Sequence, residues 1–188
     1  MKRLAIFASG SGSNAENIHN YFAKRDDVEI VLILTNNSNA YVIERAKNLN
    51  IPCEVFTRDQ FKNTNEIVDK LLAVHVDLVV LAGFLWLIPA NLIEAFPNKI
   101  VNIHPALLPA YGGKGMYGDK VHQAVIENEE PVSGITIHYV NEKYDEGESI
   151  FQIATEITKG DTPDSLAQKI HQLEYEHFPR VIERILDK

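Results

Sequence analysis

Hydrophobic and polar positions along this chain change period several times, and each change marks an element. Residues 4–8, LAIFA, are a short continuous apolar run that a polar SGSGSN stretch ends. A run of that length without polar alternation predicts a strand buried on both faces. Ile18, Tyr21 and Phe22 then recur at helical spacing. They predict a helix over 13–23, with Ser13 as N-cap and Glu16 three residues on as its capping-box partner. EIVLILT (29–35) predicts a second buried strand, and Val42, Ala46 and Leu49 a second helix. CEVFT predicts a short strand, and residues 64–75 a helix capped by Thr64. DLVVLAGF (77–84) is the most strongly apolar run, and KIVNIH (99–104) is the next strand.

After residue 130 the pattern alternates. In SGITIHYV (133–140), Ile135, Ile137 and Tyr139 share one face while Thr136 and His138 share the other. SIFQIATEI (149–157) follows a DEGE turn, so the two runs predict an antiparallel addition at one edge. A long helix over roughly 163–186 closes the chain, with Thr162 as cap and Pro163 at its first position. Strands alternating with helices give the fold class: α/β, a mostly parallel Rossmann-like sheet with helices on both faces and an antiparallel edge addition. No internal repeat or linker interrupts it, and one domain over residues 1–188 is expected.

Composition narrows the function classes. The chain has 188 residues with a formal net charge of −8. That balance lacks the basic footprint of a nucleic-acid binder, so no nucleic-acid partner is expected. A small anionic substrate stays open, because a few backbone amides attract one locally. Cys53 is the only cysteine, which excludes a disulfide framework or a cysteine zinc site and makes the cytoplasm the expected compartment. The opening MKRLAIFASGSGSN has a signal-like look, but its apolar run is shorter than the ~7–15 residues of a secretory core. It reads as a first strand, and no membrane partner is expected.

Two motifs carry candidate chemistry. SGSGSN (9–14) sits where a strand gives way to a helix, and backbone N–H groups at a helix start bind phosphate. GSGSNA also has the form of a dinucleotide fingerprint. The second strand, however, ends in LTNNSN with no acidic residue for a ribose hydroxyl, which argues against NAD. A phosphate site and a plain tight turn both fit. The second motif is VNIHP, where Asn102 and His104 lie two apart at a strand end and so share a face. An amide donor beside an imidazole suits a reaction that develops an oxyanion and moves a proton. Asp145, in NEKYDEGE, is a carboxylate able to pair with the imidazole and raise its pKa. Ordinary turn chemistry would also place such residues there. His104, His122 and His138 are too scattered in sequence to read as a metal motif, and no metal site is expected.

Taken together, SGSGSN, LVVLAGFLWLIP, VNIHPALLPAY, SGITIHYVNEKYDEGESIFQ and LEYEHFP occur in order across nearly the whole chain. In these the sequence resembles the folate-dependent phosphoribosylglycinamide formyltransferases of purine biosynthesis. The length favours that group over relatives carrying an added C-terminal or N-terminal regulatory domain. The resemblance implies that Gly12, Ser13 and Asn14 cradle the phosphate of glycinamide ribonucleotide, with Glu174 on its ribose or glycinamide side. It implies that Leu85, Trp86, Leu87 and Ile88, together with Asn102, meet the folate. Asn102 and His104 would flank the formyl carbon, and Asp145 would keep His104 protonated. The co-substrate implied is 10-formyltetrahydrofolate, with no tightly bound cofactor, in a monomer or homodimer.

The sequence departs from the family pattern at three places. Trp86 stands where many relatives carry arginine, and Lys62 is the only nearby cation in FKNTNE where relatives have another. GGKGMYGDKVH is longer and richer in glycine than the usual loop, and it reads either as a mobile lid with Lys114 facing an anion or as a passive connection. The alternatives to this function are formyl transfer to a different amine or sugar nucleotide, and, in another class, an NAD(P)-binding Rossmann protein.

Overall fold

The computed structural model describes every residue, Met1–Lys188. The elements run β1 (Lys2–Phe7), α1 (Ser13–Phe22), β2 (Val28–Thr35), α2 (Val42–Asn48), β3 (Cys53–Val55), α3 (Arg58–Lys62) and α4 (Glu66–Ala73). They continue with β4 (Leu78–Leu81), α5 (Ala90–Ala95), β5 (Ile100–His104), α6 (Asp119–Glu127), β6 (Val132–Tyr139), β7 (Ser149–Glu156) and α7 (Pro163–Leu186). The strands form one sheet in the order β3-β2-β1-β4-β5-β6-β7. It is the mostly parallel α/β sheet with an antiparallel edge pair that the pattern predicts. The chain's contacts group into two compact units, Met1–Val101 and Asn102–Lys188.

In the first unit, β1 pairs in parallel with β2 on one side and β4 on the other. Leu4, Ala5, Ile6 and Phe7 are all fully buried, so both faces of β1 are covered. That is why the run shows no polar alternation. β1 then ends in a turn that glycine dictates. Gly12 has φ of +73° and is the N-cap of α1, with no side-chain cap bond. A Cβ there would come within 2.4 Å of the Val42 side chain. Ser13 is therefore not the cap but the first residue of the helix, and Glu16 pairs with Arg45 instead of closing a capping box.

Two other boundaries differ from the sequence pattern. Thr57, read as a strand end, caps α3 in a reciprocal box with Gln60. Thr64, read as the cap of the next helix, donates to the Gln60 carbonyl and accepts from Glu66 N, while Asn65 is the N-cap of α4. Short polar segments carry two competing cap signals here, and the five-residue helix uses the first.

In the second unit, β6 and β7 pair antiparallel, and α7 packs on both and on α6. The alternation in β6 has its two faces as predicted, yet the polar face is buried as well: Thr136 and His138 are shielded from solvent. Thr136 tolerates this because its hydroxyl is saturated. It donates to Ala106 O at 2.7 Å and accepts from Leu108 N and Gln152 Nε2. These bonds anchor the proline segment that follows β5. α7 begins as predicted, with Pro163 at its first position and Thr162 and Ser165 forming a capping box across it. α6 begins in the tail of the segment read as loop and runs beyond it, burying Val121, His122 and Val125. No helix is long and apolar enough to cross a membrane.

Candidate active site

The second unit brings together Asn102, His104, His138 and Asp145. Asn102 and His104 leave β5 on one face, and His104 is only 4% exposed. Its Nε2 donates to the Tyr111 carbonyl at 2.7 Å. A carbonyl only accepts, so that nitrogen holds a proton and Nδ1 is the nitrogen left for chemistry. Nδ1 faces Asp145 Oδ2 at 3.6 Å, too far for a direct hydrogen bond but close for a charge. Asp145 sits in a left-handed turn conformation, φ +55°, and its Oδ2 accepts the Gly113 N–H at 2.9 Å. The same carboxylate therefore fixes the glycine loop and faces two imidazoles, with His138 Nε2 3.6 Å from Oδ1. Gly112 is required beside it, since a Cβ there would meet Leu108 at 2.6 Å and Asp145 at 3.3 Å.

Burial decides the charge on His104. Removal from water pushes its pKa down, while Asp145, the Tyr111 carbonyl and more distant Glu174 push it up; the net direction is down. This corrects the expectation that Asp145 lifts the imidazole above its ordinary value and keeps it protonated. Asp145 itself is penalised by burial, yet the His104 ring and the Gly113 N–H hold it below the usual carboxylate range. An ionised carboxylate thus faces a ring that is neutral near pH 7. Such a ring can accept a proton, and the carboxylate beside it would stabilise the cation formed.

Glu174 lies on α7 and is 6% exposed, so it is not a solvated helix carboxylate. Its Oε2 meets His171 Nδ1 at 3.1 Å, and that contact raises the His171 pKa. His122, from α6, is buried with no hydrogen-bond partner at Nδ1, and burial pushes its pKa down. His104, His122 and His138 form no group able to hold a metal ion.

The first unit brings together the two other predicted stretches. Ser9 N donates to Gly83 O at 3.0 Å and Ser9 Oγ accepts from Leu85 N at 3.1 Å, tying the glycine loop to the segment at 85–88. Gly12 and Asn14 are buried, Ser13 half-buried, and Leu85 exposed, while Ile88 is in the core. Trp86 is the outer ring of an aromatic cluster with Phe56, Phe61 and Phe84. The Arg58 guanidinium lies over it, 5.8 Å from the ring centroid. A cation near the tryptophan is therefore supplied by Arg58, which the sequence reading overlooked in favour of Lys62. Arg45 was also missed: its Nε donates to Ser11 O at 2.9 Å and so fixes the glycine loop from α2. Neither arginine stands in a motif: Arg58 opens α3 and Arg45 lies in the last turn of α2.

The fold is that of an α/β protein whose β5 end brings together a half-buried amide, a buried imidazole and a half-buried carboxylate. The chain belongs to the formyl transferase family, whose model matches residues 2–182. It is 42% identical to the chloroplastic phosphoribosylglycinamide formyltransferase of Arabidopsis thaliana, over 100% of this chain and 66% of that protein. The chain thus spans just under two thirds of the plant relative's length. It is 39% identical to the phosphoribosylglycinamide formyltransferase of Bacillus subtilis, over 99% of this chain and 95% of that one. Among solved structures, the phosphoribosylglycinamide formyltransferase of Bacillus halodurans superposes with a TM-score of 0.88 at 37% identity, covering 100% of this chain and 96% of that chain.

Proposed function

We propose that the protein transfers the formyl group of 10-formyltetrahydrofolate to the amine of glycinamide ribonucleotide. The observation that carries the reading is the placing of His104. Its Nε2 is engaged by Tyr111 O, and its Nδ1 is turned toward Asp145, on the strand face that Asn102 shares.

The amine nitrogen attacks the formyl carbon, and the carbonyl oxygen becomes an oxyanion that an Asn102 N–H stabilises. The attacking nitrogen, now cationic, gives a proton to His104 Nδ1, which is neutral because it is buried. Ionised Asp145 stabilises the imidazolium during its short life. The bond from the formyl carbon to the folate nitrogen then breaks, and that nitrogen receives the proton from Nδ1. Protons and charge balance, with no further reactant.

Binding is assigned to the other predicted residues. Backbone N–H groups of Gly12, Ser13 and Asn14, at the start of α1, hold the ribonucleotide phosphate. Glu174 takes the ribose hydroxyls or the glycinamide, and Leu85, Trp86, Leu87 and Ile88 meet the folate ring by main-chain and apolar contact. The test is formyl transfer followed by folate absorbance, with glycinamide ribonucleotide and with amines that lack the ribose phosphate. Transfer to those amines at equal rate would replace the acceptor while keeping the chemistry.

A further inference from the structure

His138 is buried to 2% exposure, and both of its ring nitrogens are engaged. Nδ1 lies 2.8 Å from the carbonyl of its own successor, Tyr139. That oxygen only accepts, so Nδ1 carries a proton. In the neutral ring Nε2 is then a lone pair, and it lies 3.1 Å from Asn102 Nδ2, while Asp145 Oδ1, at 3.6 Å, is beyond hydrogen-bond reach. Only the NH₂ end of an amide can face a lone pair. The two contacts are satisfied together by one tautomer of His138 and one orientation of Asn102.

The backbone is shaped to produce this. Pairing between β6 and β7 shifts at Ile137/His138, so that Ile137 opposes Phe151 while His138 opposes Ser149. The extra residue, Ile150, lies on β7, so β6 carries His138 with no insertion of its own. Gly147 passes so close to the Tyr139 carbonyl that a Cβ there would fall 1.6 Å from the oxygen, and 3.4 Å from His138 Nδ1. Glycine in the DEGE turn thus leaves the carbonyl where the ring needs it.

We infer that His138 is a positioning residue for Asn102: held as the Nδ1–H tautomer by the Tyr139 carbonyl, it pins the amide so that Nδ2 uses one N–H on the ring and keeps the other for the substrate's oxygen. The inference rests on the formyl-transfer reading for its consequence, but its geometry is independent of that reading. Without the pin the amide turns freely, and its Oδ1 meets a developing oxyanion as readily as its N–H. Turnover then falls while substrate affinity does not.

The test has two arms, and the first needs neither substrate nor variant. In ¹⁵N NMR of the unmodified protein near neutral pH, the His138 ring should show Nδ1 protonated and Nε2 unprotonated, with Nε2 coupled through a hydrogen bond to an Asn102 side-chain N–H. An Nε2–H ring, or one protonated at both nitrogens, would overturn the inference and leave formyl transfer untouched. In the second arm, His138→Phe should lower kcat toward the roughly 10²–10³-fold loss seen when an oxyanion donor is removed. Michaelis constants for both substrates should stay within about twofold, the pattern of a loss confined to the transition state. His138→Gln, whose carbonyl reaches the place of Nε2, should restore much of the rate. Equal losses in Phe and Gln variants that are both folded, or a rise in Michaelis constants alone, would contradict it. Absence of formyl transfer in the unmodified protein would sink the functional reading, and the first arm would still decide the geometry.

Discussion

His104 donates its Nε2–H to the carbonyl of Tyr111, 2.7 Å away, and this single bond selects which end of the ring faces Asp145. A histidine at a strand end has two candidate nitrogens. The backbone seven residues on removes one of them, and the catalytic account uses Nδ1 alone. His104→Ala should therefore lower transfer by roughly 10²–10⁴-fold, the range for a positioned acid–base group. Binding of both substrates, measured by equilibrium titration, should change little. A variant with unchanged turnover would remove the ring from the mechanism.

Asp145→Asn keeps the shape of the turn and removes the charge. Because Asp145 pushes the His104 pKa up against burial, the ring pKa should fall further in the variant. The acidic limb of the rate profile, which reports loss of the neutral base, should move to lower pH. The plateau should drop as well, by up to about tenfold for each unit of basicity lost. Titration of the His104 ring by NMR in both proteins measures the shift. Equal values would leave Asp145 a turn residue.

Gly12→Ala tests the phosphate loop. At φ +73° a Cβ is strained in itself, and here it would also strike Val42. The variant should lose about 1–3 kcal/mol of stability through strain and overpacking. Its Michaelis constant for the ribonucleotide should rise well above that for the folate. Adding Val42→Ala should recover part of the stability by relieving the collision, though not the strain of φ. Equal effects on both Michaelis constants would count against the phosphate assignment.

Burial also makes stability depend on pH. His104 and His122 have folded pKa values below the ordinary ~6.5, so the unfolded chain binds more protons than the folded one in the window beneath that value. Their contribution is complete above pH ~6.5 and is lost as pH falls through the folded values. His171 has the opposite sign: Glu174 raises it, so its contribution is complete below ~6.5 and lost as pH rises through the raised value. Urea unfolding of His122→Leu should accordingly show a smaller loss of stability between pH 7 and pH 5 than the parent, at an order of one kcal/mol or less. An unchanged pH slope would mean His122 is hydrated in the folded protein.

Much of this was legible in the chain. Continuous apolar runs such as LAIFA announced strands covered on both sides, and Thr162 with Pro163 fixed the start of α7 to the residue. Asn102 and His104 were visible because a period of two puts them on one face. Asp145 was visible only as a carboxylate in a turn; its contact with Gly113 N depends on loop closure over 32 residues, which no local pattern encodes. The direction of the His104 pKa was misread for a related reason. Sequence shows the partner charge but not the loss of water, and burial is the larger effect. Ser13 was mistaken for a cap because Gly12 also caps, through φ rather than a side chain. Arg58 and Arg45 act across elements, so neither had a motif to mark it.

The central claim is formyl transfer to a ribonucleotide amine through His104. It is tested most directly by incubating the protein with 10-formyltetrahydrofolate and glycinamide ribonucleotide, and following folate absorbance together with the mass of the ribonucleotide. The account predicts one formyl group gained by the ribonucleotide for each folate released. The rate should saturate in both substrates and fall roughly 10²–10⁴-fold in His104→Ala. Folate released at the same rate without the ribonucleotide, or a ribonucleotide of unchanged mass, would contradict it.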